Sequence, residues 1–135
     1  PSMADPTRGL LDTSVVGDHD VIDPALLPHE SAIAAVTLAE LAAGPHATSD
    51  ERERARRQDR LLWAAATWDA LPFDTEAARA YGRVFAATRA ARRSSRARLA
   101  DLLIASTAAA NGLPLYTRNP AEFVGLEEIV TVVAV

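Results

Sequence analysis

"GLLDTSVV", residues 9–16, is the stretch whose reading decides the fold. Gly9, Leu10 and Leu11 run directly into Asp12, and Val15 and Val16 follow. A short apolar run that stops on an Asp reads as a buried strand and its turn, because an Asp side chain bonds its own backbone just beyond a strand. Similar runs return at residues 32–36, 113–117 and 129–135, the last rich in β-branched residues. Helical signals separate them. Residues 37–43 close on Gly44-Pro45. Ser49 or Asp50 caps a helix to about Ala70, with Leu61, Leu62, Ala65 and Trp68 on its apolar face. Asp74 or Thr75 opens another helix, striped by Ala77, Ala78, Tyr81, Val84 and Phe85. "RLADLLIASTAAA", residues 98–110, is apolar nearly all round and closes on Asn111-Gly112. Residues 18–29 read as a loop with one helical turn near Ala25. Short apolar strands alternating with helices predict an α/β fold around a mainly parallel, covered sheet.

The composition fits one soluble domain of 135 residues, 49% hydrophobic and 24% charged. Residues 1–8 read as a tag remnant and a loose N-terminal tail, and residues 9–135 as a single domain. No apolar run approaches the roughly 20 residues that span a membrane, and no signal peptide opens the chain, so a cytoplasmic protein is expected. There are no cysteines, which excludes disulfides, thiolate zinc sites and a Cys nucleophile. All 14 basic residues are Arg. The missing Lys excludes a Walker A phosphate loop and Schiff-base chemistry. Net charge is -4, yet five Arg fall within residues 89–98 with no acid among them. That group, Arg89, Arg92, Arg93, Arg96 and Arg98, is a candidate contact for RNA phosphates, as is Arg118. A solvated loop or helix end explains it equally well. The Trp residues read as core, and His19, His29 and His46 as surface residues.

Four polar residues stand where apolar runs end. Asp12 follows the first strand, Glu40 lies one helical turn beyond the second, Asp101 heads the most buried helix, and Asn119 follows the third strand. Each has a structural explanation. "TLAE" and "NPAE" both match capping boxes, Asp101 suits a helix N-terminus, and Asp12 suits a turn. Together they favour another reading. In a parallel α/β sheet, strand C-terminal ends and the following helix N-termini share one edge, where ligands bind. Carboxylates gathered there repel one another, and a divalent cation relieves that. Oxygen ligands favour Mg²⁺ or Mn²⁺, and such a site suits phosphodiester hydrolysis by an activated water.

The motifs "LLDTSVV", "AAVTLAEL", "LPFDTEAARAYG", "DLLIAST" and "GLPLYTRNPAEF", in this order, resemble the PIN-domain family, and within it the VapC-type toxins of bacterial toxin–antitoxin pairs. The resemblance implies a three-layer α/β/α sandwich around a short, mainly parallel sheet. It implies a Mg²⁺- or Mn²⁺-dependent endoribonuclease acting on structured RNA, tRNA or ribosomal RNA. The expected partners are a VapB-type antitoxin and a second copy in a homodimer. By motif, Asp12 and Asp101 correspond to the main metal ligands. Glu40 completes the acidic pocket or positions water, Asn119 supports the site through a bridging water, and Ser14 hydrogen-bonds within it. The sequence departs from the family in carrying Asn rather than Asp at position 119. It also lacks the usual apolar helix after the first motif. These departures keep open a catalytically weak PIN-like domain that acts by binding RNA or its antitoxin. An aspartyl-phosphate phosphatase is disfavoured, because Ser14 stands where that chemistry needs a second Asp.

Overall fold

Leu10 and Leu11 are both fully buried, but in two different cores. The structure, a computed structural model, describes residues 7–91 and 99–135. Its strands are β1 (Arg8–Leu11), β2 (Glu30–Ala34), β3 (Ala70–Leu71), β4 (Leu115–Thr117) and β5 (Val132–Ala134), and its helices are α1 (Thr13–Gly17), α2 (Ala35–Ala43), α3 (Glu51–Thr67), α4 (Thr75–Ala90) and α5 (Leu99–Ala110). The five strands form one parallel sheet in the order β3-β2-β1-β4-β5. This is the α/β architecture that the alternating pattern predicts. Side chains alternate across a strand, so Leu10, Ala34 and Leu115 face α4 and α5, with Phe123 and Leu126 completing that core. Leu11, Ile33 and Tyr116 face α1 and α3, joined by Leu41 of α2.

The helices begin and end where their side chains allow. Asp50 caps α3 by accepting from the Arg52 and Glu53 amides, and Asp74 caps α4 through Ala77 N. Beyond α5, Gly112 takes φ +62°. Leu113 N donates to Ala108 O and Gly112 N to Ala109 O, the paired bonds of a Schellman ending.

Several expectations need correction. Val15 and Val16 lie in a short helix, because Asp12 caps the turn and starts it at once. Four strands were expected, and β3 is a fifth. It has two residues at a sheet edge, too few to show a period. The apolar face of α3 is also different. Leu62 is 59% exposed and Ala65 is exposed, whereas Ala64 is fully buried. Leu61 and Trp68 do pack against the core of Leu11 and Ile33, as expected, while the N-terminal half of the helix is held by arginines: Arg57 Nη1 donates to Gly44 O at 2.9 Å and Arg54 Nε to Pro45 O at 3.1 Å. Of the two Trp residues, half-buried Trp68 thus packs against the core, but Trp63 does not join it. Trp63 is 38% exposed, and His19, half-buried rather than on the surface, meets both Trp63 and Trp68 edge-on at 5.2 Å between ring centroids. On α3, hydrogen bonds from Arg56 and then Arg57 hold the Glu53 carboxyl below the usual carboxylate range. That contribution is present above the ordinary carboxylate pKa and is lost as pH falls through the lowered one. Among the described residues no helix is long and apolar enough to cross a membrane.

Gly9 marks the tightest packing of the sheet. A Cβ there would lie 2.4 Å from Cε1 and 2.7 Å from Cδ1 of the buried Tyr116 ring. Gly9→Ala is therefore expected to cost about 1–3 kcal/mol, read as a lower urea midpoint at an unchanged slope.

Candidate functional site

The strand order places the reversal of the sheet between β1 and β4: β2 and β3 lie on one side and β5 on the other. At such a switch point the C-terminal strand ends leave a crevice. The residues that follow β1 and β4 are Asp12 and the pair Arg118 and Asn119.

Asp12 is only 3% exposed. Its backbone N donates to Tyr116 O at 3.0 Å, which fixes it to β4. Its Oδ1 accepts from Val15 N at 3.1 Å and from Ser14 Oγ at 2.6 Å. Among the described residues Oδ2 accepts nothing. A buried carboxylate oxygen without a donor is costly, and an oxygen so placed suits a cation. Ser14 Oγ also accepts from Arg118 N at 3.0 Å, so Ser14 joins the end of β4 to Asp12.

Glu40 belongs to the second turn of α2, which starts at Ala35. The capping box suggested by "TLAE" does not form. The cap residue is Ala34, and Thr37 sits inside the helix. Instead Glu40 Oε1 accepts from Thr13 Oγ1, which brings Glu40 beside the residue that follows Asp12. The Asn119 side chain makes no capping bond to the 3-10 turn Pro120–Phe123. The Asn119 amide donates to Thr117 Oγ1 at 2.9 Å, and its side chain is exposed. Asp101 is half-buried in the first turn of α5.

The Arg candidates divide. Arg118 Nε donates to Asp18 Oδ2 at 3.2 Å and Nη1 to Val135 O at 3.4 Å, so its side chain braces α1 against the end of β5. Arg89 is exposed, with its guanidinium 6.0 Å from the centre of the Phe85 ring. Arg92, Arg93, Arg96 and Arg98 lie outside the described residues. Sequence reasoning missed Thr13 and Thr37 as members of this edge. The only sequence signal was the position of Thr13 next to Asp12.

Among the described residues, no three His, Asp or Glu side chains stand close enough to hold a metal ion. The edge is therefore not a preformed all-protein cage. It suits a different donor chemistry. Mg²⁺ keeps several waters and binds through one or two carboxylates. The Asp12 oxygen, which has no donor among the described residues, fits such a hydrated ion. A cleft of about 520 Å³ lined by Arg8, His29, Glu30, Asp69 and Asn111 opens at the opposite edge. Its residues lie at or before the N-terminal ends of the strands, so it takes no part in this arrangement.

Known proteins share this sequence and fold. The family model described as PIN domain matches residues 10–124. Ribonuclease VapC5 of Mycobacterium tuberculosis is 38% identical over 117 residues, spanning 84% of each protein. The solved structure of VapBC-5, a member of the VapBC family of toxin–antitoxin systems from the same organism, superposes with TM-score 0.84 at 36% identity and covers 96% of this chain and 100% of that one. FitAcB from Neisseria gonorrhoeae gives TM-score 0.72 at 25% identity over 91% and 94% of the two chains. With the PIN domain model matched over most of its length and a 38% identical relative covering 84% of it, the chain belongs to the PIN-domain family.

Proposed function

We propose that this chain is a metal-dependent endoribonuclease, the toxin of a VapBC-type pair, and that it cleaves structured RNA, tRNA or ribosomal RNA. The observation that carries this is the buried Asp12 oxygen that has no donor among the described residues, at the sheet's switch point next to Thr13, whose hydroxyl holds Glu40. The similarity to a ribonuclease supports the reaction class, and the likeness to a VapBC structure supports a VapB-type antitoxin as partner.

Asp12 and Asp101 hold the ion in this reading, with Glu40 as the third carboxylate. When bound, Mg²⁺ or Mn²⁺ neutralises charge on the phosphate and lowers the pKa of a bound water. Glu40 orients the attacking water and takes its proton. Ser14 and the Val15 amide keep the Asp12 carboxylate in one orientation. Asn119 contributes through a bridging water. Arg89 and Arg118, with Arg92, Arg93, Arg96 and Arg98, meet RNA phosphates. The working protein is a cytoplasmic homodimer.

The test is incubation of antitoxin-free protein with total tRNA and ribosomal RNA in Mg²⁺ or Mn²⁺. Discrete fragments that vanish with EDTA are expected. A protein that binds Mn²⁺ and RNA but never cuts would instead be a PIN-like domain acting by binding.

A further inference from the structure

Glu40 is exposed on α2, and a free Glu side chain there has several rotamers to sample. One contact restrains it. Thr13 Oγ1 donates to Glu40 Oε1 and lies 3.1 Å from Thr37 Oγ1. Thr37 is fully buried and sits three residues before Glu40, on the same helix face. A hydroxyl carries one hydrogen and a carboxylate only accepts. The Thr13 hydrogen therefore goes to Glu40, and the Thr37 hydrogen to Thr13. The three groups form a directed chain from the α2 interior, through the first residue of α1, to the carboxylate. Thr13 is covalently next to Asp12, so this chain fixes the separation of two acids carried on different elements.

We propose that Thr13 is a positioning residue: it holds the Glu40 carboxylate beside Asp12 for the metal, with Thr37 as its buried anchor. The proposal rests on the metal-site reading above. A carboxylate held by its own hydrogen-bond partner presents its second oxygen in one direction, and loss of such outer partners typically weakens metal binding about 10–100-fold.

The experiment measures Mn²⁺ affinity by calorimetry for the parent, T13V, T13S, E40A, the T13V/E40A double variant and D12N. Val keeps the shape of Thr and removes the hydroxyl. T13V is expected to weaken Mn²⁺ binding roughly tenfold, T13S to stay near the parent, and T13V to add nothing once Glu40 is Ala. Equal weakening in both backgrounds overturns the proposal. So does a T13V protein that binds as tightly as the parent while D12N does not. Thermal unfolding in EDTA over the parent, T13V, E40A and the double variant reads the tether without metal. Additive shifts there show that the bond is not made and also overturn it. A parent that binds no Mn²⁺, or a D12N protein that binds as the parent does, sinks the metal reading itself. A coupled melting cycle in that case assigns Thr13 to structure alone, which overturns the positioning role.

Discussion

Asp12→Asn removes RNA cleavage while leaving the protein folded. The loss expected is about a thousandfold or more, since a bound metal is worth several kcal/mol to the reaction and each 1.36 kcal/mol is about tenfold in rate. The fold survives because Asn caps helices as well as Asp does. Its side-chain oxygen still accepts from Val15 N and Ser14 Oγ, the two bonds that Asp12 makes. The substitution removes a buried negative charge whose second oxygen has no donor among the described residues. The variant is therefore expected to melt no lower than the parent. The checks are a cleavage assay on tRNA and ribosomal RNA and a melting curve in EDTA. Full activity in a folded Asp12→Asn protein would end the assignment of Asp12 as a metal ligand.

Phe123→Ala acts on the fold and not on the chemistry. Phe123 is 1% exposed and is the largest fully buried side chain among the described residues. It belongs to the 3-10 turn just past Asn119 and packs in the core shared with Leu102, Ile104 and Leu115. Truncating a buried Phe costs about 3–5 kcal/mol, a large share of a total stability of about 5–15 kcal/mol. For a chain of this length that corresponds to a fall in Tm of about 10–18 °C. Calorimetry checks it. Cleavage per folded molecule at low temperature is expected to stay within a few fold of the parent, because Phe123 lies in the apolar core.

The sheet was legible because each central strand is a short apolar run ended by a polar residue, and an all-parallel sheet buries both faces. Asp12 was legible for the same reason. Ala70 and Leu71 were not, since two residues at an edge carry no period. The face of α3 was legible at Leu61 and Trp68 but not at Leu62 and Ala65, and Arg57 and Glu53, both half-buried, take positions that hydropathy assigns to solvent. Glu40 carried two readings in the sequence, and only the structure separates them. The helix starts before Thr37, so the capping box has no cap residue to serve. Thr13 and Thr37 are 24 residues apart. No local pattern connects them, because their contact exists only after β1 and β2 have paired.

The central strand β1 is made long before its partner β4. Leu10 pairs with Leu115 across the sheet, and Ser14 receives its bond from Arg118 across 104 positions of sequence. Closing so long a loop is entropically costly, and a topology built on distant pairings folds slowly. During synthesis, β1 and α1 leave the ribosome with their partner strand still untranslated. The edge that carries Asp12 cannot form until β4 has been made. On the proposed function, a nascent toxin is harmless by topology until β4 has been made and has paired with β1.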